Sequence, residues 1–142
     1  MNLVKQTKLH NPPEQNGNCF AAVISSITEI PIKDIYEIEN TYGDDCWSER
    51  LTKWLLKRGW IWRSAKDFQY RYQEGKIPIG FTEEDFKDKP YLVIGRTNRY
   101  NGEVQHVCIY MNGTLLHDPH PENTGLTIIE HFEVIEKYNN EF

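Results

Sequence analysis

An α+β fold, with helices leading and an antiparallel sheet following, is predicted by three features of the chain. Up to about position 58, apolar residues recur at spacings of three and four, the periodicity of a helix face. Beyond position 90 they fall in short runs rich in β-branched and aromatic side chains. Asn-Gly steps, the dipeptide that suits tight hairpins, stand between those runs.

The first helix is expected to begin near Asn18, a good capping type, and to run through CFAAVISSIT to about Glu29, ahead of Pro31. Phe20, Val23, Ile24 and Ile27 form its apolar face, while Ala21 and Ala22 let another element approach closely. A short helix is expected within IPIKDIYEIEN and a clearer one within DDCWSERLTKWLLKRG. In the latter, Asp45 can cap, Trp47, Leu51, Trp54 and Leu55 make a stripe, and Gly59 ends the helix. Lys57 and Arg58 suit the negative end of its dipole. WIWR then reads as a short strand, and residues 64 to 90 as irregular, with EGKIPIGF a surface or ligand-facing segment. YLVIGRT, VQHVCIYM and TLLHDP predict three strands of a meander, and a last strand is expected within LTIIEHFEVIEKY.

A length of 142 residues with 39% hydrophobic and 26% charged side chains suits one folded domain spanning residues 1–142. The net charge of −5 is spread out, with no Lys/Arg cluster, so nucleic acid is not an expected partner. No run approaches the roughly 20 apolar residues that cross a bilayer, and the N-terminus lacks an apolar signal-peptide core. A cytoplasmic protein without a membrane partner is expected. Cys19, Cys46 and Cys108, an odd set without CxxC spacing, fit reduced thiols better than disulfides or a zinc finger.

One of these thiols is placed for chemistry. Cys19 falls in the first turn of a helix, where the dipole favours the reactive thiolate. His106 opens the strand HVCIYM and Asp118 ends TLLHD, and a turn at Asn112 and Gly113 folds the two strands so that these residues approach one another. An imidazole beside a thiol acts as base, and a carboxylate on its far nitrogen fixes its orientation. Acyl transfer also needs donors aimed at the oxyanion, for which Gln15 is the first choice, with Asn18 and Gln6 as alternatives alongside the N–H of Cys19. Cys108, flanked by Val107 and Ile109, reads as structural, and so does Cys46. His117, Asp118 and His120 in HDPHP, together with His106 or Cys108, form a rival set of zinc or iron ligands, weakened because alternation sends His117 and Asp118 to opposite faces. No metal or cofactor is therefore assigned. His120 is expected to line the cleft, and Trp47 to offer an aromatic wall to a peptide.

EQNGNCFAA, QHVCIYM and LLHDP, in that order, resemble the papain-like cysteine peptidase superfamily, and within it the small bacterial peptidases that remove double-glycine leaders. GNCFAA, the W…WLLKRG helix and HDPHPENTGL are also similar to a group of bacterial and phage proteins, a likeness that covers most of the chain. The first resemblance implies a papain-like domain with Cys19 as nucleophile, His106 as general base and acid, and Asp118 as orienting residue. It also implies a peptide or protein substrate. One departure is that the family's oxyanion glutamine usually stands about six residues before the cysteine, whereas Gln15 is four before it. Transamidation or deamidation by the same triad, or a protein-binding role on the same scaffold, are the alternatives.

Overall fold

Among the described residues, three α-helices precede most of a five-stranded sheet, the order the two periodicities indicate. The structure, a computed structural model, describes residues 1–10, 17–39, 47–64 and 83–138. Gln15, Asp45, Cys46 and the EGKIPIGF segment lie outside the described residues.

Helix α1 spans Cys19–Thr28, α2 Ile32–Glu39 and α3 Trp47–Lys57. Helix α1 stops at Glu29, which takes a left-handed conformation (φ 65°) and returns its N–H to the Ser25 carbonyl. Asn18 occupies the position before the first turn, as expected, but its side chain makes no capping hydrogen bond there. From Ala21 to Thr28 every residue of α1 is buried, including Ser25 and Ser26. The serines are tolerated because residues 2 to 4 run alongside: Asn2 N–H bonds the Ser26 carbonyl at 2.8 Å, and Val4 N–H bonds Ser26 Oγ at 2.9 Å. A buried hydroxyl with both a donor and an acceptor partner incurs little desolvation penalty, and Ser26 Oγ in turn donates to the Ala22 carbonyl.

The strands are β1 Trp60–Ser64, β2 Tyr91–Arg96, β3 Gln105–Met111, β4 Thr114–His117 and β5 Ile128–Lys137. They pair antiparallel throughout in the order β1-β5-β2-β3-β4. The β2-β3-β4 meander is as expected. Strand β5 inserts between β1 and β2, a placement that periodicity cannot specify, because it sets which face a residue shows and not which strand lies beside it. Asn112 and Gly113, at φ 53° and 78°, make the β3–β4 turn with two positive φ values, the conformation that matches strand twist. The β2–β3 connection is instead a turn of 3₁₀ helix at Arg99–Gly102.

Both faces of the sheet are covered, which is why β2 is buried from Tyr91 to Gly95. On one face Leu92, Ile94, Val107 and Ile109 pack with Ile24 of α1 and Leu51 of α3. On the other, Tyr91, Val93, Phe132 and Val134 form a second cluster closed by Phe86. The expected α3 stripe divides: Leu51 and Leu55 are fully buried, whereas Trp54 lies under the Arg58 guanidinium at 3.6 Å. Among the described residues, no helix is long and apolar enough to cross a membrane.

Gly95 sits where the β2–β5 register shifts, and a Cβ there would lie 1.9 Å from the Ile128 carbonyl oxygen. Gly95→Ala must therefore displace backbone, and a loss of about 1–3 kcal/mol is expected in urea unfolding at pH 7. An unchanged midpoint would show that β5 yields freely at this bulge.

Candidate functional site

Strand β3 and the end of β4 bring His106 and Asp118 together. The β3–β4 turn folds the chain back, and His106 Nε2 lies 2.6 Å from Asp118 Oδ1. Asp118 is completely buried, and its two oxygens also accept N–H groups from His120 at 2.9 Å and Gly125 at 2.8 Å. Burial alone would raise its pKa, but the hydrogen bonds from His106, His120 and Gly125 outweigh that and hold the carboxyl below its ordinary value. An ionised carboxylate can only accept, so the proton of the hydrogen bond belongs to His106 Nε2. In the neutral ring the lone pair is then on Nδ1, which makes no hydrogen bond with any described residue.

Cys108 enters the same cluster. Two residues along β3 from His106, it shares that residue's side of the strand, and a ligand atom from each of His106, Cys108 and Asp118 lies within 4.8 Å of the others. Burial first, then the charges of Asp118 and Cys19, push the Cys108 thiol above its ordinary pKa. It stays a thiol beside the Asp118 carboxylate. Because Cys19 contributes to that shift, the α1 thiol stands within electrostatic range of the cluster.

Cys19 is half-buried and opens α1, and a cleft of about 240 Å³ has both Cys19 and His106 on its walls. Phe20, Trp47, Trp62 and Glu133 complete much of the lining. Trp47 thus stands where an aromatic wall was expected. His120 does not: it is buried, its ring stands edge-on to His106 at 6.2 Å, and its Nδ1 accepts the N–H of Glu122. Burial and then the nearby Arg99 charge lower its pKa, which favours the neutral ring. It lies behind the dyad and is absent from the cleft's described lining.

Asn18 is buried and spent on the N-terminal segment. Its Oδ1 accepts from Thr7 and Lys8 N–H at 3.0 and 2.9 Å, and its Nδ2 donates to Thr7 Oγ1 at 2.8 Å. Gln6 Nε2 donates to the Lys8 carbonyl, and its backbone N–H to the Pro119 carbonyl. His117 points away from Asp118, as alternation requires, with Nε2 2.6 Å from the Val4 carbonyl oxygen.

Residues 4 to 8 therefore tie the start of α1 to the segment after β4, and sequence inspection missed this strap. Lys5 is its clearest member: Nζ donates to the carbonyls of Asp118 at 2.7 Å and His120 at 3.2 Å. A single lysine in a polar N-terminal run carries no sequence signal for that role. Gly125, at φ 73°, supplies an Asp118 donor from within PENTG, a role that no sequence signal marked. Comparison with protein-family models, with curated proteins and with solved structures returns no match.

Asp118→Asn keeps the shape and removes the charge, so stability at pH 7 should fall by about 1.5–3 kcal/mol. The native carboxyl titrates below the ordinary 3.8, so its contribution is complete above about pH 4 and drains away as pH falls further. Urea unfolding of both proteins at pH 7 and pH 2.5 should show the gap narrowing in acid; a constant gap would mean the carboxylate is not held ionised by the fold.

Proposed function

We propose that the chain is a cysteine-dependent amide hydrolase of papain-like type, acting on a peptide or protein through Cys19, His106 and Asp118. The observation that carries this reading is the buried His106–Asp118 pair, whose imidazole borders the same cleft as a helix-opening cysteine. Asp118 holds the Nε2 proton, leaving Nδ1 to take the proton of the Cys19 thiol. The thiolate attacks the carbonyl carbon, the amine leaves with a proton returned by His106, and water then hydrolyses the thioester on Cys19. With Asn18 engaged by Thr7 and Lys8, the remaining donors for the oxyanion are the backbone at the start of α1 and Gln15.

The close approach of His106, Cys108 and Asp118 supports a second reading, a buried metal site of mixed N, S and O donors. Holding a divalent ion there would require Cys108 to lose its proton and Asp118 to give up its bond with His106. The catalytic reading leaves Cys108 protonated and Asp118 ionised, the states their surroundings favour.

A peptide-aldehyde or iodoacetamide-type probe at neutral pH, with the labelled residue mapped by mass spectrometry, separates these readings. Labelling should map to Cys19, vanish in Cys19→Ala, and persist in Cys108→Ala. His106→Ala should lower the turnover of a cleaved amide on the order of 10²–10⁴-fold. Labelling that survives in Cys19→Ala would overturn the assignment. Loss of activity on chelation, with Cys19→Ala still active, would favour the metal.

A further inference from the structure

Cys19 opens α1 and His106 lies on β3, so the distance between thiol and imidazole depends on how those two elements are joined. The core joins them through Ile24, Ile27, Val107 and Ile109, but apolar contacts are non-directional and do not by themselves fix the place of a first turn. Directional contacts come from the N-terminal strap. Asn18, next to the nucleophile, is 2% exposed, and both its backbone groups and both ends of its amide are engaged. Its N–H donates to the Lys8 carbonyl at 3.1 Å and its carbonyl accepts the Ala22 N–H at 3.0 Å, while the amide closes on Thr7 and Lys8. At the other end of the strap the Lys5 ammonium donates to the carbonyls of Asp118 and His120 and, at 3.4 Å, to Asn123 Oδ1. The Gln6 N–H bonds the Pro119 carbonyl between them at 2.9 Å.

We propose that Asn18 and Lys5 are positioning residues for the reaction at Cys19, holding the thiol against the His106 ring through residues 4 to 8; the inference rests on the amide-hydrolase reading of Cys19. Neither side chain is among the described lining of the cleft, so both act through the backbone they hold. Asn18 fixes the peptide that leads into Cys19. Lys5 fixes the peptides on either side of Pro119, and Asp118 among them orients His106. Proton transfer between thiol and imidazole needs hydrogen-bond reach, and a displacement of about 1 Å at a reacting pair lowers its rate on the order of 10²-fold. Loosening the strap therefore separates thiol from imidazole before it unpacks the core.

The test is the pH dependence of Cys19 alkylation by iodoacetamide in full-length variants, followed by mass spectrometry beside urea unfolding. Thr7 and Lys5 are exposed, so Thr7→Val, which removes the acceptor for Asn18 Nδ2, and Lys5→Met should keep the urea midpoint. Both should raise the alkylation midpoint, in the direction His106→Ala moves it, and slow alkylation at pH 7 on the order of tenfold. Thr7→Ser retains the hydroxyl and should react like the unmodified protein. Asn18→Ala should give the largest shift, and the Thr7 and Lys5 variants keep the test valid if it does not fold. Thr7→Val and Lys5→Met that retain the unmodified midpoint, while His106→Ala raises it, would overturn the positioning role and leave Cys19 catalytic. A shift that Thr7→Ser reproduces would overturn it as well. A midpoint near the ordinary thiol value of about 8.5 in the unmodified protein removes the hydrolase reading and this role together.

Discussion

A carboxylate sealed from water keeps its charge only if it is supplied with hydrogen bonds, and Asp118 receives them from three directions. Each donor comes from a different part of the chain: His106 from β3, the His120 N–H from the segment just after β4, and the Gly125 N–H from the loop beyond. Fixing one carboxylate thus fixes the imidazole, the connection after β4 and the path of the PENTG loop. Arg99 reinforces that path by bonding Thr124 and pairing with Glu122. The protonation pattern follows from the same contact, since an ionised Asp118 leaves His106 with its lone pair on Nδ1.

The second half of the site is joined to the first by chain that precedes both. Residues 4 to 8 reach Ser26 on α1 and Asn18 just before it, and reach His117 at the end of β4 and the Asp118 and Pro119 carbonyls just beyond. A helix start and a sheet edge are held in register by backbone hydrogen bonds and one buried amide. Asn18, chosen by sequence as a cap or an oxyanion donor, acts as the central bracket of this arrangement.

Local patterns carried much of this in the sequence. The helix periodicity of Val23, Ile24 and Ile27, the Asn-Gly turn at 112 and 113, and the antiparallel reading of HVCIYM and TLLHD were enough to predict that His106 and Asp118 meet. What was not legible depends on contacts between distant segments. The insertion of β5 puts Glu133 and His131 into the cleft, and no local pattern around EHFEV announces a position between β1 and β2. Lys5 and Gly125 act through one ammonium and one backbone N–H, which sequence patterns do not mark. His120 looked like a cleft residue because it follows Asp118 closely, yet the turn after Pro119 buries it behind the dyad.

The two described thiols have opposite surroundings. Cys108 is buried in the sheet against an anionic carboxylate, which disfavours a second negative charge. Cys19 opens a helix, stays half-exposed, and shares its cleft with an imidazole whose acceptor nitrogen is not taken by a described residue. The pH dependence of Cys19 alkylation, followed by mass spectrometry in the unmodified protein and in His106→Ala, tests this difference most directly. A catalytic Cys19 reacts with a midpoint well below the ordinary thiol value of about 8.5 and moves toward that value when His106 is removed. An ordinary midpoint in both proteins would contradict the assignment.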